Sequence, residues 1–147
     1  MQNLTFYIAY NDELKAKCDE VKQKVFMEEQ DLAKEIVFDD IEKWAVHFVV
    51  LDEELPVATA RMLVNENDSV KVGRVAVIKE YRGQGVGKLL MHRIASYCQK
   101  NATKKIKLSS QATAKPFYEK LGYIQTSEEY CEAGIPHYMM ELQLSEV

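Results

Sequence analysis

Three glycines between a predicted strand and a predicted helix, in the segment R-G-Q-G-V-G at residues 82–87, most constrain how this chain can fold. β-Branched residues over 70–78 predict the strand, and apolar residues at helical spacing predict a helix as far as Lys100. Glycines at such a turn leave backbone amides accessible at a helix N-terminus, which is where phosphates bind. Arg82 and Lys88 stand at the two ends of the turn. The pattern favours a pyrophosphate site without a metal; the alternative is that the glycines only permit a tight turn.

Two well-understood nucleotide-binding loops do not fit the spacing of these glycines. The dinucleotide fingerprint G-x-G-x-x-G, laid on the first two of them, would need glycine where Lys88 stands. A P-loop ending at Lys88 would need glycine at Arg82, and Ser or Thr at Leu89 as the magnesium ligand. Neither loop therefore explains the turn.

The composition limits the classes of partner. The chain has 147 residues, of which 47% are hydrophobic and 29% charged, so we expect one domain over residues 1–147. Its 19 basic and 23 acidic residues give a net charge of −4, which argues against general binding of nucleic acid or of anionic membranes. A local basic patch could still bind a small polyanion.

Three features of the sequence predict a cytoplasmic protein. The three cysteines include no C-x-x-C pair, so neither a disulfide framework nor a zinc site is expected. The first five residues contain no basic segment followed by an apolar one, so no signal peptide is expected. The longest apolar stretch, residues 44–51, is far shorter than the roughly 20 residues that span a bilayer.

Periodicity and turn residues predict the order β-α-β-β-β-α-β-α-β-β. The strands at 70–78 and 105–109 are joined through a helix, so they should be parallel, with a right-handed connection. The predicted strands are 4–10, 44–52, 55–65, 70–78, 105–109, 123–130 and 137–144, and the predicted helices run from Asn11 to about Glu28, over 86–100 and over 112–121, with Gly122 at the end of the last.

The glycine turn resembles the Q/R-x-x-G-x-G/A loop with which GCN5-related N-acetyltransferases (GNATs) hold the pyrophosphate of acetyl-coenzyme A. The preceding residues 72–77, V-G-R-V-A-V, resemble the strand whose backbone pairs with pantetheine in that superfamily. Residues 114–123, A-K-P-F-Y-E-K-L-G-Y, are similar to the family segment A-x-x-F-Y-E-K-L-G-F. Two motifs in the right order are far more specific than one.

Three further segments resemble the ElaA/YjcF-like branch of this superfamily. They are V-F-M-E-E-Q at 25–30, L-S-S-Q at 108–111 and G-I-P-H at 134–137. The resemblance thus covers nearly the whole chain. It implies an α/β fold of GNAT type, with a mixed, mostly antiparallel sheet, two splayed parallel strands and helices on both faces.

The resemblance implies acetyl-coenzyme A as acyl donor and no metal. A backbone amide near Ala76 or Val77 would polarise the thioester carbonyl. The residues that would contact the donor are Val75, Ala76, Val77, Arg82, Gly83, Gln84, Gly85, Val86, Gly87, Lys88, Gln111, Phe117 and Tyr118.

The catalytic candidates are Tyr118, Glu29 and His137. The resemblance makes Tyr118 the general acid, and a phenol of pKa about 10 can protonate a thiolate of pKa about 8.5. The base is open, because a helix-end carboxylate such as Glu29 is usually only solvated, and His137 fits a structural histidine equally well. Asp39, Asp40 and Glu42 are further carboxylate candidates, whereas His47 fits a core or pairing position and His92 the protein surface.

These observations predict direct acetyl transfer to a primary amine of a small molecule or protein. The alternatives are a non-catalytic acyl-coenzyme A sensor or interaction module, and a nucleotide binder that uses the glycine loop. Acidic residues over 28–42 favour a cationic acceptor, although solvated acids explain them equally well. A homodimer is the usual expectation for domains of this kind.

Overall fold

The computed structural model describes residues 3–65 and 68–144, and within them it contains eight strands and four α-helices. The strands are β1 (Leu4–Ile8), β2 (Val46–Asp52), β3 (Leu55–Val64), β4 (Ser69–Val77), β5 (Lys105–Gln111), β6 (Ile124–Gln125), β7 (Tyr130–Glu132) and β8 (Ile135–Gln143). The helices are α1 (Asp12–Lys22), α2 (Lys34–Val37), α3 (Val86–Lys100) and α4 (Lys115–Lys120). A π-helix covers Gln23–Glu29, and 3₁₀ turns cover Glu42–Trp44, Lys79–Tyr81 and Ala112–Ala114.

The strands form a mixed sheet in the order β1-β2-β3-β4-β5-β8-β6, with β7 also paired to β8. Strand β2 is antiparallel to β1 and to β3, and β8 is antiparallel to β5, β6 and β7. The pair β4–β5 is parallel, and its register joins Ser69–Val72 to Lys105–Leu108. The predicted mixed, mostly antiparallel sheet with one parallel connection is confirmed, while the splaying of β4 and β5 stays a prediction.

Two units can be distinguished along the chain. The first unit consists of the described residues up to Leu63 together with Arg74–Ile94, and the second of the described residues of Val64–Gly73 and those from Ala95 onward. The single domain over 1–147 therefore stays a prediction. Among residues 3–65 and 68–144, no helix combines the length and the apolar character needed to cross a membrane.

The core of the first unit includes the contact between α1 and β2. Leu14 and Cys18 of α1 pack against Val49 and Leu51 of β2, and all four are buried. Helix α1 begins where the sequence predicts, because the Asn11 side chain accepts a hydrogen bond of 2.8 Å from the Leu14 amide. The apolar stripe read from the sequence therefore faces the sheet.

The C-terminal part of the first predicted helix differs from the prediction. The chain is α-helical only to Lys22 and continues as a π-helix, in which the Gln30 amide donates to the Val25 carbonyl at 3.2 Å. The adjacent residues Val25 and Phe26 are both buried. A π turn accommodates one more residue than an α turn, and this wider spacing allows two neighbouring side chains to share the buried face.

Helix α4 ends as the sequence predicts. Gly122 has φ +99°, and its amide donates to Glu119 while the next amide, of Tyr123, donates to Tyr118. These paired bonds form a Schellman motif, in which the left-handed residue is normally glycine. The motif fixes the position at which the chain leaves α4.

Two of the predicted strands need correction. Trp44 does not begin β2 but lies in a 3₁₀ turn, where it is exposed and stacked under the Lys43 ammonium. The strand predicted over 123–130 is replaced by the short strands β6 and β7, with a bend at Ser127 between them, where the Ser127 hydroxyl accepts from the Met139 amide at 2.9 Å. Local apolar composition did not reveal either interruption.

A buried ion-pair cluster fixes residues 39–44 in the first unit. The fully buried Lys22 ammonium donates to Glu42 Oε1 at 2.8 Å and to His47 Nδ1 at 3.1 Å. Arg61 donates to Glu42 Oε2 at 2.7 Å and to both Asp39 oxygens at 2.8 and 3.0 Å. His47 Nε2 donates to the Glu42 carbonyl at 2.8 Å, so Nδ1 is the nitrogen that accepts from Lys22. We call these five residues the Lys22 cluster.

The cluster makes stability depend on pH. Burial would raise the pKa of Glu42, but Lys22 and Arg61 outweigh it and lower this pKa to about 2. Burial lowers the pKa of His47, and the neighbouring Lys22 lowers it further. Both groups therefore bind fewer protons in the folded than in the unfolded chain, so acidification lowers the free energy of unfolding. The loss begins below about pH 6.5 for His47 and below about pH 4.5 for Glu42.

We expect Glu42→Gln to lower the free energy of unfolding at pH 7 by about 3 kcal/mol, because it leaves the buried Lys22 ammonium opposite an uncharged amide. Urea denaturation followed by circular dichroism measures this change. The matched control is Glu54→Gln, whose carboxylate is 94% exposed and 3.9 Å from Lys17, and which should change nothing measurable. Equal losses in the two variants would contradict the role given to the cluster.

Candidate active site

The glycine turn has the backbone that the sequence predicts for an anion site. Gly83 and Gly85 have φ of +74° and +82°, a conformation that favours glycine. A Cβ built on either residue would meet no atom within 4 Å, so the space above the turn is open to a ligand. Helix α3 begins at Val86, whose buried side chain anchors the turn, and its first amides have no partner within the helix. The residues present therefore fit a pyrophosphate.

Arg82 joins the turn to the π-helix. Its guanidinium makes a two-pronged contact with the Glu29 carboxylate, at 2.8 and 2.6 Å, and Nε donates to the Val77 carbonyl at 2.9 Å. The hydrogen bonds from Arg82 lower the pKa of Glu29, so this group is a carboxylate at neutral pH. The structure thus brings together two predicted site residues that are 53 positions apart. No local sequence signal linked them.

Strand β4 leads into the turn with a distortion that the sequence analysis missed. Arg74 has φ +49°, which is uncommon for a residue other than glycine. Its side chain donates to the Ile36 carbonyl at 2.8 Å and to Asp39 at 3.2 Å. These bonds tie the strained residue to the segment around α2. Immediately after it come the predicted donor-contact residues 75–77, of which Ala76 is buried.

Two of the carboxylates predicted to attract a cationic acceptor are paired inside the first unit. Asp39 is paired with Arg61 and Arg74, and Glu42 with Lys22 and Arg61. These contacts make both side chains structural groups of the Lys22 cluster. Other acidic residues of the same segment, such as Asp40, are exposed, so the expectation that residues 28–42 favour a cationic acceptor stays a prediction.

The second unit contains the predicted acid. Tyr118 lies in α4 and is only 6% exposed, with its ring in edge contact with the rings of Phe117 at 5.0 Å and Tyr123 at 5.6 Å between centroids. Burial raises the pKa of Tyr118 well above its usual range. The phenol therefore keeps its proton at neutral pH, which a general acid requires.

His137 lies in β8, directly opposite Gln111 of β5 and Tyr130 of β7. Its Nδ1 is 2.7 Å from the Ile135 carbonyl, which can only accept, so Nδ1 carries the proton and Nε2 the lone pair. Nε2 is 3.6 Å from Glu132, and the Tyr130 ring stacks on the imidazole. The histidine is thus held by its backbone bond in the tautomer that a base at Nε2 needs.

The sequence analysis did not single out Tyr130, which shares a hydrogen bond with Ser109. Glu132 faces His137 across the β7–β8 hairpin, with 3.6 Å between its carboxylate and Nε2. His47 is a buried pairing histidine and His92 is exposed, as predicted. In the part of the chain that the structure describes, no three His, Cys, Asp or Glu side chains are grouped so that they could hold a metal ion.

The site residues are divided between the two units. Glu29, residues 75–77 and the turn 82–88 belong to the first unit. Gln111, Phe117, Tyr118 and His137 belong to the second. The roles that the sequence analysis gave these residues stay predictions.

Comparison with known proteins identifies the family. Residues 9–144 match the family model of an acetyltransferase (GNAT) domain. The chain is 35% identical to the uncharacterized N-acetyltransferase YjcF of Bacillus subtilis, over 90% of this chain and 95% of that protein, and 35% identical to the protein ElaA of Escherichia coli, over 79% and 78%. The crystal structure of Escherichia coli ElaA superposes with a TM-score of 0.80 at 27% identity, covering 96% of this chain and 99% of that one. The chain therefore belongs to the GNAT acetyltransferase family, as its glycine turn and its F-Y-E-K-L-G segment predicted.

Proposed function

We propose that this protein transfers an acetyl group from acetyl-coenzyme A directly to a primary amine of a small molecule or protein. The observation that carries the proposal is the turn at Gly83 and Gly85, whose left-handed backbone and open upper face precede the N-terminus of α3. Family membership supports acyl transfer in general. The donor, the acceptor class and the residue roles below are inferred from the chemistry of the side chains.

The turn would hold the donor by its pyrophosphate. Backbone amides over 83–87 would supply hydrogen bonds, and the exposed Lys88 would supply positive charge. The backbone of residues 75–77 would bond the pantetheine arm and polarise the thioester carbonyl. Gln111 and Phe117 are further candidates for contact with the donor. The bound thioester supplies the acetyl group and a thiolate leaving group.

The acceptor nitrogen must lose a proton before or during its attack on the carbonyl carbon. We assign this proton to His137 Nε2, because Nδ1 is committed to the Ile135 carbonyl. Glu29, kept ionised by Arg82, would bind the acceptor while it is still an ammonium ion. This division gives each of the two candidate bases a role that matches its hydrogen bonding.

The transfer balances as one bond made and one broken. The carbon–nitrogen bond forms, the carbon–sulfur bond breaks, and sulfur keeps the electron pair. Tyr118 donates its proton to that sulfur. An ammonium acceptor loses two protons in all: the one taken by His137 passes to solvent, and the one released as the amide forms restores Tyr118 through solvent. The products are an N-acetylated amine, free coenzyme A thiol and one proton.

An acceptor screen that follows thiol release tests the function as a whole. Purified protein and acetyl-coenzyme A are incubated with amino acids, polyamines, aminoglycosides and peptides with free N-termini. Turnover with at least one primary amine is expected. Binding of acetyl-coenzyme A without thiol release across the panel would instead indicate a non-catalytic acyl-coenzyme A-binding module.

We expect Gly85→Asp to abolish binding of coenzyme A, because it puts a side chain and a negative charge where the phosphates would lie. Isothermal titration calorimetry measures the affinity. Gly134→Asp is the matched control, since Gly134 also has a positive φ, of +78°, with open space at its Cβ position, in the β7–β8 turn. Retained affinity in Gly85→Asp, or equal loss in both variants, would mean that the turn is not the phosphate site.

Replacement of the proposed acid should separate binding from catalysis. Tyr118→Phe is expected to lower kcat about 100-fold or more, through loss of an acid, with an almost unchanged affinity for coenzyme A. Steady-state kinetics and calorimetry give the two quantities. Tyr10→Phe, at an exposed tyrosine, is the control. An unchanged kcat in Tyr118→Phe would remove this residue from the mechanism.

The base can be identified from the kinetic parameter that each variant changes. In His137→Asn the amide can still donate to Ile135 but cannot accept the proton of the acceptor nitrogen, so kcat should fall about 100-fold in steady-state kinetics. Glu29→Gln should mainly raise the KM for the acceptor. If Glu29→Gln lowers kcat and His137→Asn raises only the KM, the two roles are reversed.

A further inference from the structure

The hydroxyl of Tyr123 is an unexplained polar group inside the second unit. Tyr123 is 4% exposed, and its oxygen is a fully buried side-chain polar atom without a hydrogen-bond partner in the described part of the chain. Burying such a group unpaired destabilises a protein. Phenylalanine would fill the same space without this cost, and it is the residue with which the family segment quoted above ends. The destabilising hydroxyl is therefore a candidate functional group.

Tyr123 is held against the proposed acid. Its ring makes an edge contact with the Tyr118 ring, with centroids 5.6 Å apart and planes at 69°. The Schellman bond from the Tyr123 amide to the Tyr118 carbonyl, 3.1 Å long, fixes the two residues to each other. The relative position of the two phenols is therefore set by both backbone and packing.

Burial raises the pKa of Tyr123, and the nearby Tyr118 phenol and Cys98 thiol raise it further. Burial raises the pKa of the Cys98 thiol to about 11, so it stays neutral at physiological pH. Tyr118 is the neighbour that would acquire a charge during the reaction, when it gives its proton to the leaving thiolate. A buried phenolate without a donor would be very unfavourable in this apolar environment.

We propose that Tyr123 is a positioning residue for the Tyr118 acid, donating its O–H to the Tyr118 oxygen as that oxygen loses its proton. The inference rests on the proposed function of Tyr118. In the step, the Tyr118 O–H bond breaks, an S–H bond forms on coenzyme A, and the phenolate accepts from Tyr123 until the proton released by the acceptor amine restores it. The Tyr123 proton stays on its own oxygen throughout.

This role explains why the hydroxyl is unpaired in the resting protein. An interaction accelerates a reaction only if it is stronger in the transition state than in the ground state. The Tyr123 hydroxyl makes no hydrogen bond to neutral Tyr118, and in the proposed step it turns to the Tyr118 oxygen when that oxygen becomes charged, because a hydrogen bond to a charged group is stronger. Tyr123 thus makes ionisation of a deeply buried phenol less costly without changing how the donor or the acceptor binds.

A kinetic double-mutant cycle tests the proposal with Tyr123→Phe, Tyr118→Phe and the double variant. Tyr123→Phe should lower kcat about 10-fold or more, as expected for loss of a hydrogen bond to a charged group, with unchanged KM values and an unchanged or higher melting temperature. In the Tyr118→Phe background the same change should have no further effect on kcat. An unchanged kcat, an equal loss in both backgrounds, or a loss of kcat accompanied by a lower melting temperature would each overturn it.

A second measurement does not depend on turnover, so failure of the proposed function and failure of this inference can be told apart. The protein is prepared with Tyr118→3,5-difluorotyrosine, whose phenol ionises at a lower pH, and its fluorine resonance is followed by NMR during titration. Adding Tyr123→Phe should raise the ionisation midpoint by about one pH unit, which corresponds to a tenfold change. An unmoved midpoint would overturn the inference even if the wild-type protein is an active transferase.

Discussion

The carboxylate of Glu42 joins three elements of the first unit at one buried point. This carboxylate accepts hydrogen bonds from Lys22 at the end of α1 and from Arg61 in β3, and the backbone carbonyl of Glu42 accepts one from His47 in β2. Because a buried charge is tolerated only when it is paired, none of these elements can shift without exposing an unpaired ion to an apolar environment. Through Asp39 the same constraint reaches Arg74 and hence the distorted part of β4. The backbone that enters the glycine turn is thereby held by side chains far from it in sequence.

Binding and proton transfer are assigned to groups of different electrostatic character. The groups that would meet the phosphates and the acceptor in the first unit are ions, and the Arg82–Glu29 pair holds two of them in place at the surface. The two groups assigned to proton transfer in the second unit, Tyr118 and His137, are both buried. Ion pairs can bind a charged ligand in contact with water. Proton transfer, in contrast, is best controlled in a site that excludes most water, where a small number of hydrogen bonds determine which group holds the proton.

The sequence was sufficient wherever a feature depends on neighbouring residues. The Asn11 cap, the glycine turn, helix α3 and the Gly122 terminus were predicted, because capping, glycine-rich turns and helical periodicity are all local signals. The parallel pair was predicted from the helix that connects its strands. The relations that were missed join distant positions. Lys22 lies 20 residues from Glu42 and 25 from His47, and Glu29 lies 53 residues from Arg82. The Tyr123 hydroxyl was missed for another reason. It matters because it is buried without a hydrogen-bond partner in the described part of the chain, and a sequence pattern cannot show this.

The π-helix over Gln23–Glu29 has a consequence for how this protein can vary. A π turn is equivalent to an α turn with one residue inserted, and every later residue of that helix is rotated by roughly 100° relative to an uninterrupted α-helix. The approach of Glu29 to Arg82 therefore depends on the number of residues in the turn as well as on their identity. Deleting a single residue there, even with Glu29 and Arg82 both retained, would turn the carboxylate to a different side of the helix. A relative of this protein that preserves both residues but not the chain length between them preserves the composition of the pair and loses its geometry.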